Sequence, residues 1–240
     1  MNMINSYVSI DLETTGLNPK LDKMIEIGAV KVIDGVERDS YSTLIHPGRK
    51  LEERICELTG ITDEMLAEAP SVSEVLPVLF DFLEELPLLG HKVLFDYSFL
   101  KKAAVDQKMT FEKNGIDTLK IARRYCTEAE RKTLEYLCQF YQIHHQAHRA
   151  LGDAYATSLL YQRLAQDYGH LDTDEKHLVF APMKLQFQVK RDTPITKVQK
   201  ERLYRLLEQH NIVLDQCVDK MSRSEADRTI DRIKTGRIHS

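Results

Sequence analysis

The sequence predicts an α/β domain with a mixed sheet, followed by a small C-terminal helical module. Three observations carry this expectation. The chain up to His46 holds three stretches with the two-residue alternation of strands. It then changes to helical periodicity interrupted by one short apolar run, the order expected when helices cover a sheet. Two amphipathic stretches close the chain after a segment that has no clear period.

Taken in order, residues 6–13 place Val8, Ile10 and Leu12 on one face of a strand and Ser9, Asp11 and Glu13 on the other. TTGLNPK reads as a turn punctuated by Gly16 and Pro19. Residues 24–34 and 38–46 read as two further strands, with Asp34-Gly35 between them as a hairpin signal. Residues 51–58 and 63–68 are short helical candidates. A longer one, 71–86, starts at a Ser71 cap and must accommodate Pro77. Residues 87–91, PLLGH, read as a short buried strand. Helical periodicity returns at 95–105, 117–126, 132–141 and 151–168, with Gly169 as the stop signal. The pattern divides the chain into a domain at 1–170, a linker at 171–195 with one extended piece (LQFQVK), and a helical module at 196–240. Thr196 and Ser222 are the expected caps of module helices near 196–210 and 222–234.

Composition narrows the class. With 42% hydrophobic and 29% charged residues over 240 positions, the chain has an ordinary globular balance and can bury a sizeable core. No stretch reaches the roughly 18 apolar residues of a membrane helix, and the start lacks a secretory pattern, so a cytoplasmic protein without membrane contact is expected. Cys56, Cys126, Cys138 and Cys217 are scattered with no CxxC pair, which fits buried thiols in a reducing compartment. The net charge of −4 argues against a general nucleic-acid coat, yet it is unevenly spread. Residues 183–240 hold 13 Lys/Arg against 8 Asp/Glu (net +5), whereas residues 1–182 hold 20 against 29 (net −9). An acidic body with a basic tail suits a catalytic domain that gathers carboxylates, joined to a segment that meets an anionic polymer; a merely solvated basic face is the plainer reading.

Three motifs carry chemistry. In Asp11-Leu12-Glu13-Thr14-Thr15-Gly16 the two acids, two apart on a strand, project from one face. Two adjacent carboxylates are costly without a cation to neutralise them, and hard divalent ions such as Mg²⁺ or Mn²⁺ favour such oxygen ligands; an exposed acidic strand end is the bland alternative. Asp96 follows the short buried strand, among Phe95, Phe99 and Leu100, and as a first-turn acid it also suits the helix dipole. In His148-Arg149-Ala150-Leu151-Gly152-Asp153, a histidine, the residue type suited to proton transfer at physiological pH, stands before a helix that carries another metal-type carboxylate. A zinc site of His144, His145 and His148 competes, but its HHxxH spacing differs from the HExxH helix pattern.

In this order the motifs resemble the DEDDh 3′→5′ exonuclease family, which includes the proofreading epsilon subunit of bacterial DNA polymerase III. DLETTG is similar to the family's first motif, GHKVLFDYSFL to its second and HRALGDA to its third, with His148 and Asp153 five apart. The stretch from Leu58 to Met65 resembles a loop and helix that border the nucleotide pocket, and the likeness spans residues 6 to 168. It implies a ribonuclease H-like, mixed five-stranded sheet flanked by helices. It implies that Asp11, Glu13, Asp96 and Asp153 hold two Mg²⁺ or Mn²⁺ ions and that His148 is the general base. Thr15, Gly16, Ile61 and Lys92 are the implied substrate contacts. Lys92 is a departure, since the family often has Asn there; it puts local hydrogen bonding in doubt and leaves a phosphate contact or a solvent-facing lysine as readings.

The implied activity is release of nucleoside 5′-monophosphates from DNA 3′ ends, with single strands as the expected substrate and a polymerase as a possible partner. An exoribonuclease of the same fold and a non-catalytic nucleic-acid-binding or docking module are the alternatives. The tail is similar to small helical modules appended to bacterial proteins, and both nucleic-acid grip and protein docking stay open for it.

Overall fold

The computed structural model describes residues 4–144, 148–174, 178–189, 193–214 and 217–236. Strand β1 (Tyr7–Thr14) is central because both its faces are apolar enough to bury: all but its acidic end is shielded from solvent. It pairs antiparallel with β2 (Met24–Ile33), which pairs antiparallel with β3 (Val36–Leu44). The turn between β2 and β3 is Asp34-Gly35, with φ of 53° and 76°, the left-handed pair that a two-residue hairpin requires. On its other side β1 runs parallel to β4 (Leu88–Gly90), and β4 runs parallel to β5 (Asn114–Asp117). A two-residue strand, β6 (Met183–Lys184), adds antiparallel to β5 and completes the order β3-β2-β1-β4-β5-β6.

The α/β class and mixed sheet are as expected, but the sheet has six strands rather than five. Both β5 and β6 are too short to display alternation, and β6 lies just before the LQFQVK piece.

Helices α1 (Glu53–Thr59), α2 (Asp63–Leu66) and α3 (Val72–Leu83) connect β3 to β4. Ser71 and Glu74 form a capping box at the start of α3, and Pro77 sits inside that helix without ending it. Helix α4 (Leu94–Asp106) connects β4 to β5, and α5 (Thr118–Tyr125), α6 (Leu134–Phe140) and α7 (Ala150–Tyr168) follow. The two faces of the sheet carry separate cores. Val8, Ile10 and Leu12 pack with Leu76 and Leu79 of α3 and Tyr97 and Leu100 of α4. Tyr7, Val30 and Val32 pack with Ile121 of α5, Leu137 of α6 and Leu160 of α7. Gly169 does not stop α7 in a left-handed turn; at φ −58°, ψ −30° it leads into a 3-10 turn, Gly169–Leu171.

The segment read as a linker, 171–195, is largely built into the body. Phe180 is fully buried against Tyr161, and the Asp172 carboxylate accepts the N–H groups of Val179 and Phe180 at 3.0 Å. Leu185 covers Gly115, where a Cβ would come within 2.7 Å of it. Helices α8 (Lys197–His210) and α9 (Arg223–Lys234) then form the C-terminal module around Ile195, Leu203, Ile212, Val218, Ile230 and Ile233. Thr196 with Gln199 and Ser222 with Glu225 make the capping boxes that start these helices. Among the described residues no helix is long and apolar enough to cross a membrane.

Candidate active site

Helix α7 lies along β1, and their repeats match. Four helical residues rise about 6 Å and two strand residues about 6.6 Å, so contacts four apart on one meet contacts two apart on the other. Tyr7 hydrogen-bonds Ser158 at 3.0 Å, and the Ser9 hydroxyl donates to the Ala154 carbonyl at 2.7 Å. The next step along β1 is Asp11, and the first turn of α7 supplies Asp153. One ligand oxygen from each of Asp11, Glu13 and Asp153 lies within 4.8 Å of the others.

Gly28 sets the depth of this contact. It pairs with Asp11 across the β1–β2 ladder, and a Cβ there would stand 2.1 Å from the backbone of Ala150 and Leu151. The start of α7 therefore rests on bare backbone, and only glycine permits that approach.

Asp96 comes from the other face. It is buried in the first turn of α4, and its carboxylate accepts the backbone N–H of Leu12, which ties α4 to the strand that carries Asp11 and Glu13. Just before it, His91 is fixed at both ring nitrogens, by Thr118 Oγ1 at 2.9 Å and the Lys132 carbonyl at 2.7 Å. Lys92 has φ 80°, a left-handed conformation that Asn tolerates and Lys adopts at a cost. Its N–H donates to Asp117 Oδ1 at 3.0 Å, and its ammonium lies 5.6 Å from the centre of the Phe95 ring. The side chain is exposed.

Like charges and burial dominate the electrostatics. Burial holds the Asp11 carboxyl well above the usual carboxylate range, and Asp96, Asp153, Glu13 and Glu26 raise it further. Glu13 is pushed up to about 7 by burial and by the charges of Asp153 and Glu26, with Arg149 pulling the other way. Burial likewise raises Asp96 well above its ordinary value, although the amides of Asp96 and Leu12 that bond it oppose this. A compact set of oxygen donors that repel each other is the chemistry that a hard divalent ion neutralises.

His148 is exposed in the loop ahead of α7, with φ 64°. Its backbone N–H donates to Asp153 Oδ2 at 3.0 Å, so the five-residue spacing is a direct hydrogen-bonded link between the two residues. His145 lies outside the described residues, and among the described residues the converging metal-type group is the carboxylate set.

Two partners escaped the motif reading. Glu26, opposite Glu13 on β2, is buried; it receives Arg149 Nη2 at 2.8 Å, Arg149 Nε at 3.1 Å and the Ala150 N–H at 3.0 Å. It thus satisfies an orphan donor at the start of α7 while holding Arg149 beside Glu13. Gly28 is the second. Their shared signal is a glutamate and a glycine of the same register within an otherwise apolar strand, MIEIGAVKVI.

Of the other expected contacts, Thr15 is buried, with its hydroxyl accepting Arg49 Nη2 at 2.6 Å and the Lys23 N–H at 3.0 Å. Gly16 leaves room for the Asp22 carboxylate, which a Cβ would meet at 2.5 Å. Ile61 is fully buried with Ile25, Ile55 and Leu66, so its side chain packs inside its loop.

Comparison with known proteins identifies a family. The RNase_T family model, described as Exonuclease, matches residues 8–161. DNA polymerase III PolC-type of Thermotoga petrophila is 38% identical over 164 residues, 67% of this chain and 12% of that protein. The Thermotoga maritima counterpart is 39% identical over 170 residues, again 67% and 12%. The chain thus spans about an eighth of these relatives. Among solved structures, exonuclease X in complex with 5′-overhanging duplex DNA has a TM-score of 0.57 at 26% identity, covering 72% of this chain and 97% of that one. The nuclease domain of 3′hExo, a DEDDh family member bound to rAMP, has a TM-score of 0.59 at 22% identity, covering 68% and 92%. With a family model over most of its length, the chain belongs to the exonuclease family.

Proposed function

We propose that the chain is a divalent-metal-dependent 3′→5′ exonuclease that releases nucleoside 5′-monophosphates from DNA, taking single-stranded 3′ ends. The observation that carries this is the convergence of Asp11, Glu13 and Asp153, with Asp96 behind them and His148 tethered to Asp153. The PolC-type relatives and exonuclease X with its DNA support DNA as the polymer and a polymerase as the partner.

Asp11, Glu13, Asp96 and Asp153 would hold two Mg²⁺ or Mn²⁺ ions, which when bound acidify water and neutralise charge on the phosphate and leaving oxygen. The His148 imidazole takes the proton of the attacking water as its oxygen bonds phosphorus and the 3′ oxygen leaves. The exposed position of His148 lets it reach solvent and pass the proton on. Thr15 and Gly16, directly after Glu13, border the terminal nucleotide through their backbone, and exposed Lys92 lies where a phosphate can meet it.

A time course on 3′- and 5′-labelled DNA and RNA oligonucleotides, with Mg²⁺, Mn²⁺ or EDTA, tests the proposal. Loss of mononucleotides from the 3′ end of DNA, abolished by EDTA and by Asp11→Ala or Asp153→Ala, is expected. RNA as the preferred polymer would reassign the substrate; undiminished activity in either variant would remove the site. His148→Ala should slow the reaction by roughly 10²–10⁴-fold, and a loss under threefold would exclude it as the base.

A further inference from the structure

The loop from Gly16 to Lys23 leaves β1 directly beyond the catalytic Glu13 and returns to β2, and it is not backed by core packing. Pro19, Lys20, Asp22 and Lys23 line a cavity of about 650 Å³, with Phe99 of α4 and Met221 of the C-terminal module among its other walls. Polar anchors reach the loop from two directions. From the body, Arg49 Nη2 bridges Thr15 Oγ1 at 2.6 Å and Asp22 Oδ1 at 3.1 Å. From the module, Arg228 of α9 donates to the Leu21 carbonyl at 2.5 Å, and its other terminal nitrogen lies 3.9 Å from Asp22 Oδ1. Glu225, one turn earlier on α9, pairs with Lys23 at 3.1 Å. Asp22 passes these constraints inward, since its carboxylate fills the space beside Gly16 and accepts the Asn18 N–H at 3.0 Å. Lys23 does the same through its N–H to Thr15 Oγ1 and its carbonyl to the Thr15 N–H.

We propose that α9 positions the active-site loop, with Arg228 as a positioning residue that acts through Leu21 and Asp22 on Gly16 and Thr15, and so on how tightly the 3′-terminal nucleotide is held. This rests on the exonuclease reading above. The module keeps its own core and meets the loop through charged and polar groups, so its removal from the loop need not disturb the carboxylates. Arg228 touches neither phosphate nor metal ligand; it sets the shape of the rim.

Two measurements on the full chain test this. In steady-state digestion of a 3′-labelled single-stranded oligonucleotide, Arg228→Ala should raise KM roughly five- to tenfold, as expected when a charge-assisted hydrogen bond is removed, with kcat within about twofold. Arg228→Lys should recover part of that rise, and Lys23→Met, which cuts the neighbouring bridge, should give a smaller rise and serves if Arg228→Ala does not fold. Hydrogen exchange of the 16–23 amides should quicken in Arg228→Ala while β1 and α7 stay protected. An unchanged KM, or a fall in kcat without a rise in KM, would overturn the proposal. So would unchanged loop exchange, which needs no nuclease activity and so separates failure of this inference from failure of the exonuclease reading.

Discussion

Glu13 shows how the site trades stability for chemistry. Its folded carboxyl is pushed up to about 7 from an ordinary 4.5, so the folded chain binds that proton more tightly than the unfolded chain does. The resulting contribution to stability is complete below the ordinary value and is lost as pH rises to about 7. In EDTA the protein should therefore melt at a lower temperature at pH 8 than at pH 5, with Glu13 accounting for about 2–3 kcal/mol of the difference. Glu13→Gln should flatten that slope, and Mg²⁺ or Mn²⁺ should restore the wild-type melting temperature at pH 8. Melting that is independent of pH and of metal would show that the carboxylates are not in conflict. Glu26, opposite Glu13 on the ladder, is engaged by Arg149 and the Ala150 amide. One acid is thus tied to the start of α7, whereas the carboxyl opposite it is pushed up to about 7.

Among the elements, the pairing of β1 with α7 makes the site, and Gly28 is its thinnest point. Gly28→Ala places a methyl group into the Ala150–Leu151 backbone, which cannot rotate away. The variant should lose about 3 kcal/mol or more of stability in denaturant titration, at the upper end for overpacking, and activity should fall at temperatures where it is still folded. Wild-type stability and rate would mean that α7 can shift freely. The elements that build this contact were legible in the sequence because their signals are local. β1 alternates, α7 has helical periodicity, and the acids of each motif stand at fixed spacings within one element. What was not legible depends on which strand lies beside which. β5 and β6 are strands only because β4 and β5 offer them an edge. Phe180 and Leu185 gave no periodic signal, yet they close the two cores, and Arg228 meets Leu21 across more than 200 positions. The inward packing of Ile61 was not legible either, because a motif preserves neighbourhood without telling which side of a loop faces outward.

At the scale of the whole molecule, charge is split between an acidic body and a basic C-terminal segment. Lys197, Arg202 and Arg205 are exposed on α8, whereas Lys200 is engaged by Asp219 at 2.6 Å. If the exposed three meet phosphates, replacing them with Glu should weaken single-stranded DNA binding and flatten its logarithmic salt dependence by about 0.7 for each phosphate no longer neutralised. A slope equal to that of the wild type would leave the module its role at the loop alone. The body, for its part, draws its four carboxylates from β1, α4 and α7, which lie in the sheet and on its two opposite faces. A chain that has closed only one face carries at most part of the carboxylate set. Under the proposed function, hydrolytic power is therefore the last property to arrive during folding and the first to go during partial unfolding. On that reading, an incompletely folded copy of the chain is chemically silent toward the nucleic acid around it.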